Sequence, residues 1–172
     1  QIDLSVCTVM GMGGILCCMM ITSGVPILVA VLATLVIGCL VGFVNGYLVT
    51  KFSIPPMIMT LGMQYIAKGV VYVLTQGKPI YPLPDAFLAL DKITFFGVPF
   101  IVFLSLLFSL ICYIVLKKTR FGREVYAVGG NREAATAAGI NVKLMTLFTY
   151  LYMGVCTAFA GIMLAARTNS GQ

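Results

Sequence analysis

The chain has 172 residues, 60% hydrophobic and only 9% charged, which leaves too little polar surface to solvate a water-soluble globule of this size. A mean hydropathy of +1.07 points the same way. The net charge of +6 and pI near 9.1 would suit nucleic-acid binding, but most of the positive charge lies in one loop between apolar runs, so no basic face is left for a polyanion.

Five apolar runs read as membrane-spanning helices. The first covers residues 4–21, long enough to approach a crossing of about 20 residues, with Asp3 and Ser5 at its start. An acid in that position fits an interfacial cap. An uncharged turn at 22–25 leads to the second span, 26–50. There Gly38, Gly42 and Gly46 recur every fourth residue and so share one face, on which another helix's backbone can approach closely. Asn45 lies on nearly the same face, where its amide could bond across the helix contact or line a solute route. Lys51 closes the span.

Ile54-Pro55-Pro56 interrupts the helix, because Pro56 pushes Pro55 out of the α region and neither proline donates an N–H. The third span is expected over 57–75. It carries Gln64 and Lys68, which favour an interior position, although Lys68 is close enough to the span's end to snorkel. Residues 76–94 hold Gly77, Pro79, Pro82 and Pro84, with Lys78 and Lys92 offset by Asp85 and Asp91, and are expected to form an extended outer loop. The fourth span is 95–116 and the fifth 144–166. In the fifth, Gly154 and Ala158, then Gly161 and Ala165, repeat small residues at helix-contact spacing.

Between the last two spans lies the only long polar run, KKTRFGREVYAVGGNREAATAAGINVK, residues 117–143, with six basic residues against two acidic ones. The positive-inside bias places this loop, and Lys51 with it, in the cytoplasm. Gly129-Gly130-Asn131 is expected to break the chain. Asn131 then caps a two-turn helix from Arg132 to Ala138, and Gly139 ends it in a left-handed conformation with Ile140 beyond. So short a helix is marginal alone and must rest on something. It lies either against its own protein and the headgroups, or with its Ala134, Ala135 and Ala138 face in a groove on a partner.

Chemistry for catalysis is missing. There is no GxxxxGK[ST] phosphate loop, no GxGxxG fingerprint and no histidine, and the five acids are scattered. The six cysteines fall inside apolar runs without CxxC spacing and read as small apolar side chains, neither disulfides nor metal ligands. An enzyme is not expected, nor a cofactor, nor a metal.

GGNREAATAAGI, preceded by TRFGREVYAV, resembles the cytoplasmic coupling loop of permease subunits of bacterial ABC sugar importers, the branch carrying ribose, xylose, galactose and arabinose. IDLSV at 2–6, IPPMIMTLGM at 54–63, VLTQGKPI at 73–80 and AGIMLAARTNSGQ at 160–172 resemble the same family in the same order. Cys7 departs from it, standing where the family carries a small glycine after DLSV. The chain opens on Gln1 without a charged n-region or cleavage site, which is not a signal-peptide pattern. The resemblance implies an all-α, polytopic membrane fragment: about five transmembrane helices plus a short coupling helix, in one permease domain truncated at both ends. It implies a pathway for a monosaccharide or similar small polar solute in the bacterial inner membrane, without nucleic acid among its partners. Those partners would be a separate ABC ATPase subunit, an extracytoplasmic sugar-binding protein and a second permease copy in a homodimer.

Coupling residues carried over from the motif are Arg123, Gly129, Gly130, Asn131, Glu133, Ala134, Ala135, Gly139 and Ile140. The DLSV stretch suggests a helix break near the pathway, so Asp3, Ser5, Asn45, Thr60 and Gln64 are the candidate path residues. Gly38, Gly42, Gly46, Gly154 and Ala158 are the candidate packing residues. The competing reading is a self-sufficient channel or secondary transporter. Such a protein normally needs intramembrane ionisable groups, and only Lys68 offers one.

Overall fold

A computed structural model describes residues 2–95 and 97–171. Gln1, Phe96 of the expected fourth span and Gln172 at the end of the last family motif lie outside the described residues. The element order is α1 (Val6–Thr22), α2 (Ile27–Lys51), α3 (Pro56–Thr75), α4 (Asp85–Lys92), a two-stranded antiparallel pair β1 (Thr94–Phe95) and β2 (Val98–Pro99), α5 (Phe100–Lys118), α6 (Arg120–Gly130), α7 (Arg132–Ala137) and α8 (Val142–Thr168). The chain is an all-α polytopic membrane protein. Among the described residues four helices, α2, α3, α5 and α8, are long and apolar enough to cross a membrane, and α1 is a shorter apolar helix of 17 residues.

The expected spans fall on these helices with shifts at their ends. The third begins one residue early: Pro56 enters the helix at its first position, where no N–H is needed, and Pro55 caps it. The fourth begins later, at Phe100, because Thr94–Phe95 first pairs with Val98–Pro99. On α2 the large side chains Leu28, Leu32, Val36 and Leu40 form an exposed stripe at four-residue spacing, while Ala30, Thr34, Gly38, Gly42 and Gly46 are buried on another face. An exposed apolar stripe of that length suits hydrocarbon rather than water.

Helix α8 is the centre of the bundle, and glycines set its distance from both neighbours. A Cβ added at Gly38 would come within 2.5 Å of the Gly154 carbonyl oxygen. One added at Gly42 would strike the Tyr150 carbonyl, and one at Gly46 would come within 2.9 Å of Leu147. As the α2 number rises the α8 number falls, so these helices run antiparallel. On the other flank Gly13 faces Ala158, Gly14 faces Gly161 and Ala165, and Gly171 meets Ile15 and Cys18, so α1 runs parallel to α8. Backbone therefore meets backbone on both sides of α8, the arrangement that small residues permit in membranes where burial against lipid gives little drive. Cys7, the departure from the family pattern, is exposed and takes no part in this packing.

The parallel and antiparallel pairs fix two ends. At one, the start of α1, the end of α2 and the start of α8 come together. At the other, the segment after α3 folds over the bundle. Here the expected loop 76–94 needs correction, because Asp85–Lys92 is a helix. Pro84 pre-sets its entry, Asp85 suits its first turn, and Phe87 is fully buried, with Leu83 and Leu88 beside it, in the cluster formed by Cys17, Cys18, Ile21, Ala30 and Ile162. Tertiary burial of Phe87 and Leu88 outweighs the proline-rich surroundings. Ile80 pairs with Gly171 through two 3.1 Å backbone bonds and ties this cap to the end of α8. Asp85 bonds Lys92 at 2.9 Å on the cap's exposed surface, and that ammonium holds the carboxyl below its ordinary range.

Candidate functional site

The end opposite the cap carries the polar run. Thr119 turns the chain out of α5: its hydroxyl donates to the Val115 carbonyl and accepts from Gly122 N at 3.3 Å. Gly122 is buried in this corner, and a Cβ there would collide with the Leu116 carbonyl. Neither residue was among the sequence candidates. The visible signal is a capping threonine three positions before a glycine, which places a helix start at Arg120. That helix, α6, continues through Gly129 and Gly130, so the expected break there moves to Asn131. Glycine permits a break without forcing one. Here the bond from Asn131 N to Ala127 O (3.1 Å) completes the last turn.

Asn131 is extended (φ −152°, ψ 112°) and serves two helices, ending α6 with its N–H and starting α7 with its side chain. Its Oδ1 accepts from Glu133 N at 2.9 Å and Ala134 N at 3.0 Å. A cap of this kind is worth about 1 kcal/mol, and Glu133 adds a favourable charge in the first turn. At the other end Gly139 N donates to Thr136 O and Ile140 N to Ala135 O, both at 3.0 Å, with Gly139 at φ +80°. This is a complete Schellman closure, with Gly139 in the left-handed position.

Both ends of a six-residue helix are thus capped by the chain itself. The alanine triplet is divided: Ala135 is buried at 3% exposure and seats the helix, while Ala134 and Ala138 are exposed with Glu133 and Arg132. Arg123, Gly129 and Gly130 are exposed on α6, and Ile140 is half-buried.

At the same end the start of α1 is held by a polar junction. Asp3 Oδ1 accepts from Ser5 N (2.8 Å) and Ser5 Oγ (2.6 Å), and Ser5 Oγ accepts from Asn45 Nδ2 of α2 at 3.2 Å. Leu4 N donates to Thr60 Oγ1 of α3 at 3.0 Å. Four of the five candidate path residues therefore meet in one network. Ser5, Asn45 and Thr60 are each 2% exposed or less. Gln64, the fifth, sits half-buried one turn along α3 from Thr60. Lys68 is exposed on α3.

The two features adjoin. Asp3 and Arg132 line one cleft of about 670 Å3, with Leu116 of α5, Tyr126 and Gly129 of α6, and Thr149 and Tyr150 of α8. Arg132 also reaches a second cavity with Thr50, Pro55, Pro56 and Lys143, so the short helix stands beside the α2–α3 connection as well. The basic loop, the α2–α3 turn and the buried junction form one end of the molecule.

A helical bundle with backbone-close crossings, a lipid-compatible outer surface and a double-capped helix on the connection between spans is a polytopic membrane protein with a presented cytoplasm- or exterior-facing element. Over residues 1–172 it matches the family described as "Branched-chain amino acid transport system / permease component", and the chain belongs to that family. It is 32% identical to the D-allose transport system permease protein AlsC of Escherichia coli (strain K12), over 99% of this chain and 53% of that protein. It is 36% identical to the L-arabinose transport system permease protein AraH of the same strain, over 99% of this chain and 52% of the relative. Identity is 35% to the autoinducer 2 import system permease protein LsrC of Salmonella typhimurium, over 97% and 48%. The chain spans about half the length of these curated relatives. No solved structure matches it.

Proposed function

We propose that the chain is part of the permease subunit of an ABC importer, forming a pathway for a monosaccharide or similar small polar solute, and that α7 with its flanking residues 131–140 docks on a separate ATPase subunit. The observation that carries this reading is α7 itself. A six-residue helix with both ends closed, seated by Ala135 and otherwise exposed, is preorganised to present a small surface without ordering cost. The names of the relatives support a transport permease, with D-allose, L-arabinose and autoinducer 2 as their cargoes.

The remaining partners follow from that role: an extracytoplasmic binding protein that delivers the solute, a second permease copy, and the surrounding bilayer. Asp3, Ser5, Asn45, Thr60 and Gln64 contribute amide, hydroxyl and carboxylate groups near the pathway, and a shallow site is what transport needs, since a tight one would retain the solute. An ion-coupled carrier is disfavoured because Lys68, its one candidate intramembrane charge, lies on the exposed side of α3.

The loop 117–143 faces the cytoplasm of a bacterial inner membrane in this proposal. The support is charge: Lys51 and the six basic residues of the loop share one end, against Lys78, Lys92 and Arg167 towards the other. Labelling from outside, with native cysteines removed, is expected to modify a cysteine placed at Asp85, in the exposed cap, and to spare one at Arg132. The reverse pattern would invert the topology and remove the docking role of α7.

A further inference from the structure

The crossing of α1, α2 and α8 leaves a partly open void of about 10 Å3, lined among others by Asp3, Ser5, Val9, Gly42, Asn45 and Tyr150. That is close to the least volume of this kind that holds one water molecule. Asn45 is 1% exposed, and the bonds beside it fix which way its amide points. The Asp3 carboxylate accepts, so Ser5 gives it the hydroxyl hydrogen. The Ser5 oxygen then offers only lone pairs and receives an N–H from Asn45. Asn45 Oδ1 consequently faces away from Ser5, and among the described residues no donor reaches it. A buried carbonyl left so costs about 1–3 kcal/mol. Tyr150 also lines the void, is 5% exposed, and has a hydroxyl without a partner.

We infer that this void is a binding site for one ordered water molecule, which completes the polar junction between the start of α1, α2 and α8. The water donates one hydrogen to Asn45 Oδ1 and presents the other to the Asp3 carboxylate, while the Tyr150 hydroxyl donates to it. Three bonds are usual for a buried water, and Asp3, Asn45 and Tyr150 can make them; Ser5 and Thr157, the other polar residues that line the void, already donate their hydroxyl hydrogens to Asp3 and to the Met153 carbonyl. The site explains how a polar amide is accommodated where Gly42 and Gly154 bring backbones too close for a second side chain. It also means that exchangeable hydrogen bonds, beside the packing of Val9 and Met12, hold the start of α1 on its neighbours. A sodium ion is the competing occupant, since Asp3, Asn45 and Tyr150 can each offer oxygen.

Hydroxyl-radical labelling of the complete permease in lipid nanodiscs, with radicals generated from water in place, distinguishes these. Val9 is 3% exposed, lines the void and is absent from the wall of the larger cleft. Ile162 is 1% exposed in the apolar cluster near the other end and serves as the dry reference. Val9 is expected to be oxidised several-fold faster than Ile162. Asn45→Leu, which fills the void, is expected to remove that excess without changing Ile162. Asn45→Ser, which keeps a polar group and enlarges the space, is expected to retain it. Equal rates at Val9 and Ile162 in the parent, or loss of the excess in Asn45→Ser, would overturn the site. Loss of the excess when sodium replaces a bulky organic cation would assign the void to the ion instead.

Discussion

Gly42→Leu is expected to lower the membrane abundance and thermal stability of the complete permease sharply, because the new side chain has nowhere to go. Even a Cβ at Gly42 meets the Tyr150 carbonyl and carbon, and Leu151 Cα lies 3.2 Å away. These atoms are backbone, so no rotamer change relieves the clash, and α2 and α8 must separate. That separation would also draw Gly38 from Gly154 and Gly46 from Leu147 and Tyr150, since all three glycines share one seam. The cost belongs at the upper end for overpacking, about 3 kcal/mol or more. Gly62→Leu is the matched control: Gly62 is also inside a helix, but nothing lies within 4 Å of its added Cβ. It is expected to leave abundance near normal. Equal behaviour of the two variants would show that the seam does not determine assembly.

The second large effect concerns activity without loss of the protein. Gly139→Val creates no collision, as nothing lies within 4 Å of the new Cβ, but it places a β-branched residue at φ +80°. Strain of this kind costs about 1–3 kcal/mol, enough to open the Schellman closure and redirect Ile140. Glu133→Lys leaves the backbone alone. It reverses the charge in the first turn of α7, against the helix dipole and on the exposed face. Both variants are expected to reach the membrane at near-normal level and to lose coupling between ATP hydrolysis and uptake in proteoliposomes holding the complete transporter. Transport at the parent level by both would return the loop to a basic connection with no docking role.

Periodicity made the spans legible, since a run of about 20 apolar residues has few alternatives, and the spacing of Gly38, Gly42 and Gly46 marked the face that now meets α8. Local chemistry made α7 legible: Asn131, Glu133 and Gly139 act through bonds to residues no more than four positions away. What stayed hidden depends on distant partners. Helix α4 lies among prolines and is fixed by the burial of Phe87 and Leu88 against α1, α2 and α8. Helix α6 was masked by its charges, although Phe121 packs on Tyr152 of α8 with ring centroids 6.1 Å apart. The pairing of Leu4 with Thr60 and of Ser5 with Asn45 joins residues 56 and 40 positions apart, and a single sequence carries no signal for that register.

The docking of α7 on an ATPase subunit is the centre of this account, and site-specific photocrosslinking of the assembled transporter tests it most directly. A photoreactive residue at Ala134 or Ala138, both exposed on α7, is compared with one at Asp85, exposed on the opposite end. An adduct of permease with ATPase is expected from Ala134 and Ala138 and none from Asp85. Absence of any ATPase adduct from α7 in a transporter that still takes up solute, or an adduct from Asp85 in its place, would contradict it.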